Sequence, residues 1–243
     1  MPAFFVMLKA DMHCHVQGDP HDNIPYTAEQ LIDHAAQHHY TVLALTCHDK
    51  VIFSDELKRY ATSKKILLIP GAEKTLQGKH VLLYNLTQQE LDETKNFDDL
   101  RQLKLKNKRL LVIAPHPFFI IGSCLGHLLK KNIDVFDAIE YGHYHTYGFN
   151  LNKKAAQLAK KYNKPLVGLS DCHRLFQFGT TYSLIDATRT NDEVIAAIKS
   201  GKVRYVSPPL PPLLFLRITC WIIVALSGHI LKMLIGHRFS HKL

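Results

Sequence analysis

The stretch Val6-Met7-Leu8-Lys9-Ala10-Asp11-Met12-His13-Cys14-His15 begins as an apolar run and ends on a cluster of reactive polar side chains. The run is too short for a secretory leader and leads straight into the motif, so it reads as a first β-strand, residues 6–10. Along an extended chain, residues two apart point to the same side. His13 and His15 can therefore offer two nitrogens to one point in space, while Cys14 faces away.

The pattern recurs down the chain. Apolar runs at 41–46, 66–70, 80–85, 110–114, 138–141, 166–170 and 182–186 read as further strands. Helix-like segments fall between several of them, at 28–39 (capped by Thr27), 97–108, 151–162 and 191–200. Strands alternating with helices argue for an α/β fold of parallel strands and crossover helices. Polar residues sit where the strands should end: His48 and Asp49, Glu73, His116, Glu140, then Asp171 and His173. In a barrel of parallel strands the carboxyl ends form one face, and residues far apart in sequence converge there.

Composition narrows the class. The chain has 243 residues, 47% of them hydrophobic, enough for one domain with a substantial core. A formal charge of +9 favours anionic partners, although the basic residues of 101–109 and 153–164 read as solvated helix faces. Of five cysteines, Cys14, Cys47 and Cys172 lie inside histidine-rich motifs. That usage argues against a disulfide framework and points to a reducing, cytoplasmic compartment. Sixteen histidines is a high count. His34, His38 and His39 belong to one polar helix, but those at the ends of apolar runs need another explanation.

Asp171-x-His173 repeats the geometry of His13-x-His15, so each pair can present two ligands to a metal. Cys14 and Cys172 then read as small buried hydrophobes behind the site rather than as ligands. Imidazole with carboxylate suits zinc, manganese or iron(II). Glu73, on a third strand end, is the best candidate to bridge two metals, an arrangement that activates water and clamps the oxygens of a displaced phosphate. Each signal alone is modest, and a lone strand-end histidine is ordinarily structural. Their accumulation is hard to explain by packing, because buried charges are costly unless paired or coordinated.

Taken together and in order, these segments resemble the motifs of the PHP (polymerase and histidinol phosphatase) family. Asp11-Met12-His13-Cys14-His15 resembles its opening motif and Thr46-Cys47-His48-Asp49 its second. Gly71-Ala72-Glu73, Gly78-Lys79-His80-Val81, Pro115-His116-Pro117 and Ser170-Asp171-Cys172-His173-Arg174 resemble those that follow. The resemblance implies a distorted (βα)7 barrel over residues 1–206, holding two or three divalent metal ions (zinc, manganese or iron). One ion would take His13, His15, Glu73 and Asp171. A second would share Glu73 and add His80 and His116. A third would use His21, His48 and His173, with Asp19 the alternative to His21.

The same resemblance assigns catalytic roles to Asp11, Glu73, Asp171 and Arg174. It implies hydrolysis of a phosphomonoester or phosphodiester by a metal-activated hydroxide, the substrate being a phosphorylated small molecule or nucleotide. Arg174 could fork onto the phosphate or pair locally at the surface. Two departures are visible: Cys47 stands where the family has an aspartate, and residues 139–143 lack an asparagine that often follows the aromatic residue. Rival readings are an amidohydrolase-type enzyme cleaving a C–N bond, and a non-catalytic module that binds phosphorylated ligands or nucleic acid. No sequence-specific nucleic-acid binding is expected, since aromatic–basic interleaving is lacking.

The far end differs in composition. Residues 207–212 carry four prolines and read as a rigid break and domain boundary. Residues 213–235 are strongly apolar, interrupted by Arg217, His229 and Lys232, and 236–243 form a basic tail. The apolar segment is expected to be a helix and a candidate membrane anchor on the cytoplasmic side. The alternative is a helix packed on the barrel.

Overall fold

The structure, a computed structural model, describes residues 7–239. Residue 6 of the expected first strand and residues 240–243 of the expected tail lie outside that range. Strands form where apolar runs were read: β1 Leu8–Asp11, β2 Val42–Leu45, β3 Leu67–Leu76, β4 Lys79–Tyr84, β5 Leu111–Ala114, β6 Ala138–Gly142, β7 Leu166–Leu169 and β8 Tyr182–Ile185, with β9 Val203–Val206 added. The helices are α1 Ala28–Gln37, α2 Asp55–Ser63, α3 Gln88–Glu93, α4 Phe97–Lys106, α5 His127–Lys131, α6 Asn152–Lys161, α7 Asn191–Lys199 and α8 Pro212–Phe239. Of these, α2, α3 and α5 were not anticipated. The first two have clear caps: Ser54 Oγ accepts from Leu57 N, and Thr87 and Glu90 form a capping box.

One sheet runs β7-β6-β5-β4-β3-β2-β1-β8-β9. Within it β1, β2 and β3 are parallel, as are β5, β6 and β7. The expectation of parallel strands throughout needs correction at β4, β8 and β9, which pair antiparallel. The reason at β4 is local. Gln77 and Gly78 both have positive φ (51° and 73°), the signature of a two-residue hairpin turn, and such a turn leaves no chain for a crossover helix.

Closure brings the last strands back to the first. Just beyond the ends of β1 and β7, Cys14 and Cys172 form a parallel bridge, with His15 N donating to Cys172 O (3.0 Å) and Cys172 N to His13 O (3.1 Å). Lower down, Ser183 of β8 joins β7: Gly168 N donates to Ser183 Oγ (2.9 Å), which donates back to Gly168 O (3.0 Å). Only glycine fits there, since a Cβ would lie 2.4 Å from the carbonyl oxygen of Tyr182. The result is the nearly closed, distorted α/β barrel that the motifs implied.

Period-two alternation sorts the strand residues between cores. In β5 and its lead-in, Leu111 and Ile113 pack with Ala10, Met12, Val42 and Tyr84, whereas Leu110, Val112 and Ala114 pack with Leu100, Leu129 and Phe136. A third cluster, under α1, takes Cys14, Cys47 and Cys172. The cysteines thus sit behind the strand ends, as the alternation required.

Residues 207–212, read as a rigid break, are held against the barrel: Ser207 Oγ lies 2.6 Å from Thr181 Oγ1 and 3.0 Å from His145 Nε2, and Leu210 N donates to His145 O (2.8 Å). α8 exceeds the expected 213–235 at both ends. Its first turns lie against the barrel mouth, with Phe215 stacked on Tyr144 (4.8 Å), Thr219 Oγ1 2.7 Å from Tyr144 Oη, and Ile218 fully buried. This part of the helix matches the packed alternative. Among the described residues, no helix is long and apolar enough to cross a membrane, so the structure lends the anchor no support.

Candidate metal centre

Glu73 is the hub of the barrel mouth. It lies within β3, opposite Leu82 of β4, and its carboxylate is buried. Five imidazoles surround it in two groups. Oε2 faces His13 Nε2 (3.4 Å), His15 Nε2 (3.4 Å) and His48 Nε2 (3.2 Å). Oε1 faces His80 Nδ1 (2.9 Å) and His116 Nε2 (3.0 Å). A second carboxylate, Asp171, places Oδ1 3.3 Å from His13 Nε2, 3.4 Å from His15 Nε2 and 3.3 Å from His173 Nδ1. His116 and Asp171 have left-handed backbones (φ 26° and 49°). That conformation costs about 1–3 kcal/mol at a non-glycine residue and is retained chiefly where function requires it.

The outward nitrogens are held by other residues. His13 Nδ1 is 2.8 Å from Glu140 Oε2, and His15 Nδ1 is 2.8 Å from Asp19 Oδ2. The same Asp19 oxygen is 3.1 Å from His48 Nδ1, and Cys124 Sγ is 3.4 Å from His116 Nδ1. A carboxylate that accepts a hydrogen bond from Nδ1–H leaves the Nε2 lone pair facing inward, as metal-binding histidines require. The buried inner atoms His13 Nε2, His15 Nε2, His80 Nδ1 and Asp171 Oδ1 have no hydrogen-bond partner. Such a group of unpartnered buried polar atoms is costly unless coordinated. Ligand atoms of His13, His15, Glu73 and Asp171 lie within 4.8 Å of one another, as do those of His48, Glu73 and His80, and of His15, His48 and His173. The donor set and its inward aim fit divalent ions.

The electrostatics agree. Burial alone would raise the carboxyl groups of Glu73 and Asp171, but the histidines around them hold both well below the usual carboxylate range. Burial would lower His13, yet Asp171, Glu73 and Glu140 hold it well above the imidazole range. Likewise Glu73, Asp19 and Asp22 outweigh the burial of His48 and raise it to about 9. His15 is lowered, by burial and then by His173. Imidazoles must be neutral to bind a metal, so metal binding here is coupled to proton release.

Other sequence candidates lie elsewhere. His21 is half-exposed, stacked on His48 at 5.0 Å with Nε2 3.7 Å from Asp49 Oδ2, and belongs to none of these groups. Asp19 and Asp22 occupy that side instead, Asp22 Oδ2 lying 3.2 Å from His173 Nε2. Asp11 is buried below the site. Its Oδ1 accepts from His13 N (3.3 Å) and Ser170 N (3.2 Å), and burial pushes its carboxyl up to about 7. It ties β1 to β7 rather than lining the mouth. The Arg174 guanidinium donates to His173 O (2.7 Å) and Asn23 O (3.2 Å) and lies 5.4 Å from the Trp221 ring, beside the cavity. Burial pushes the Cys47 thiol up to about 12, which disfavours it as a thiolate ligand.

Sequence reasoning assigned no role to Cys124, read Trp221 as a membrane-interface residue of the apolar tail, left the run 141–147 that contains His143 as either a pocket lining or a loop packed on the barrel mouth, and saw Glu140 only as a strand-end acid. The charge inside Ala138-Ile139-Glu140-Tyr141 was the available signal for Glu140; Cys124 and Trp221 gave none. Above the cluster lies a cavity of about 480 Å3. Glu73, His80, His116, Asp171 and His173 form its floor, and Phe118, Phe119, Ile121, Trp221 and Ile222 stand in its walls.

Residues 150–203 match the PHP_C family, described as PHP-associated. No curated protein sequence matches the chain. Among solved structures, a two-domain protein from Bacteroides vulgatus containing a predicted PHP-like metal-dependent phosphoesterase is similar at TM-score 0.66 and 19% identity, over 87% of this chain and 68% of that one. PsfC from Pseudomonas syringae gives TM-score 0.65 at 16% identity, over 90% of this chain and 98% of that one. A lesion-specific endonuclease from Pyrococcus furiosus gives TM-score 0.59 at 14% identity, over 80% of this chain and 56% of that one. At these identities the likeness is one of fold.

Proposed function

We propose that the chain, whose fold is shared with PHP-type structures, is a PHP-type metal-dependent hydrolase acting on phosphoesters. The observation that carries the reading is the split carboxylate of Glu73, one oxygen toward His80 and His116 and the other toward His13, His15 and His48. A carboxylate so placed suits two ions sharing one bridge. His13, His15, Asp171 and Glu73 would hold one, and Glu73, His80 and His116 the second. His48 and His173, with Asp19 or Asp22, would serve a third. Zinc, manganese and iron suit these donors.

When bound, such ions lower the pKa of water and neutralise charge developing on phosphoryl oxygens. The chain's own residues do the rest. Glu140 and Asp19 fix the ring orientation of His13, His15 and His48. His143 lines the cavity, its buried Nε2 has no hydrogen-bond partner, and burial lowers its pKa to about 4, so its ring adds no charge to the site near neutral pH. The apolar walls limit water around the ester, which strengthens the interactions of the floor. Arg174 sits close enough to influence the mouth, but its backbone contacts leave it a supporting part.

The test is turnover of p-nitrophenyl phosphate, bis(p-nitrophenyl) phosphate and a p-nitroanilide by protein loaded with manganese or zinc. Ester hydrolysis that chelation abolishes is expected. Full metal occupancy with hydrolysis of the anilide alone would assign the site to C–N bond cleavage.

A further inference from the structure

The cavity is polar at its floor and largely apolar in its walls, and several of the polar side chains in those walls are engaged within the protein. Asn152 Oδ1 accepts from Gly142 N (3.0 Å) and its Nδ2 donates to Gly142 O (2.9 Å). Gln177 Oε1 accepts from His173 N (3.1 Å) and Arg174 N (2.8 Å). Tyr144 Oη is 2.7 Å from Thr219 Oγ1. Among the described residues, no lysine or arginine lines the cavity. A sugar or nucleoside placed here would leave hydroxyl groups unpaired against hydrocarbon, which is costly.

The wall above His173 comes from α8. Trp221 lies 5.5 Å from the His173 ring, and Ile222 and Ala225 continue the surface. Several contacts fix the helix there: buried Ile218, the Phe215–Tyr144 stack, and Arg217 4.1 Å over Phe176. Phe118, Phe119 and Ile121 face the cavity from the loop after β5. The apolar surface runs on past the mouth, where Ile120 is 71% and Val224 70% exposed. At about 480 Å3, the space falls within the roughly 300–1,000 Å3 of small-molecule sites.

We infer that the ester this site takes carries its phosphate on an apolar organic group, an alkyl chain or an aromatic ring, and that Trp221 and Ile222 of α8 select that group. The inference rests on the phosphoesterase reading above and adds the nature of the leaving group.

The experiment uses the full chain in two arms. In the first, manganese-loaded protein is given methyl, butyl, hexyl, octyl and phenyl phosphate, glycerol phosphate and a nucleoside monophosphate. kcat/KM should rise roughly two- to fourfold per methylene along the alkyl series, and glycerol phosphate should fall below butyl phosphate. Phenyl against octyl phosphate distinguishes ring from chain. Ile222→Ser and Trp221→Ala, checked for an unchanged melting temperature, should flatten the slope. Leu105→Ser, on an exposed position of α4, should not.

The second arm reads binding without turnover. Trp221 is the sole tryptophan, so its emission reports the cavity directly. Alkyl phosphonates of increasing length should shift it with rising affinity, and Ile222→Ser should weaken that trend. A sugar or nucleotide ester turned over better than octyl and phenyl phosphate, or a slope surviving both α8 substitutions, overturns the inference. If no ester is hydrolysed, the phosphoesterase reading fails. The emission arm then decides this one: length-dependent binding supports it, and a flat response overturns it.

Discussion

Glu73→Gln removes the shared charge while keeping the side chain's shape. Glutamine offers one neutral carbonyl oxygen where two anionic oxygens faced opposite histidine groups, and turns an amide N–H2 toward one of them. Loss of a residue that merely orients a ligand typically weakens metal binding about 10–100-fold. Loss of a direct ligand to two ions should reach or exceed the upper end. Linkage converts this into melting temperature. With free metal at about a hundred times Kd, the wild-type protein gains ~2.7 kcal/mol. At 2–4 °C per kcal/mol for a chain of this size, that is a rise of about 5–11 °C. A hundredfold loss leaves ~0.4 kcal/mol, about 1–2 °C. Each protein is scanned with metal and with chelator, so any change in the metal-free baseline cancels, and bound metal is counted by elemental analysis. His116→Ala, which removes a ligand on one side only, should lose less than Glu73→Gln. A wild-type shift and stoichiometry in Glu73→Gln would refute the bridge.

Further predictions follow from single contacts. Glu140→Ala should weaken metal binding by about 10–100-fold with every ligand intact, and Glu140→Gln, which keeps an acceptor for His13 Nδ1, should lose less by calorimetric titration; equal losses would refute an orienting role. Because carboxylates hold His48 up at about 9, its ring carries at pH 7 a proton that a cation must displace. Zinc added to weakly buffered protein should acidify the solution, and affinity should rise with pH until about 9; affinity flat between about pH 6 and 9 would contradict this. Ser183→Ala strips both the N–H and C=O of Gly168 of a buried partner and should cost about 1–3 kcal/mol in urea unfolding; a change under half a kcal/mol would deny it the closing role. Ile218→Asp should lift the first turns of α8 rather than bury a charge, shifting Trp221 emission to the red; unchanged emission would place the helix elsewhere.

What the sequence determined alone was local. Apolar runs located the strands, because burial and pleating impose their period within a few residues. His13-x-His15 and Asp171-x-His173 announced shared aim, because alternation is set by the backbone of one strand, and for the same reason Cys14 and Cys172 were read correctly as facing the core. Motif order then implied the barrel. Tertiary structure decided whatever depends on which strand meets which. Glu140 reaches His13 across 127 residues, a pairing no local period encodes. Asp19, rather than His21, joins His15 to His48 because the loop's backbone turns around that carboxylate, which accepts from the N–H groups of His21 and Asp22. The apolar tail was legible as a helix, and its hydrophobicity suggested a membrane anchor ahead of a helix packed on the barrel. Only the contacts of Phe215, Ile218 and Thr219 with the barrel mouth assigned the first turns of α8 to protein, and so made Trp221 a wall of the cavity.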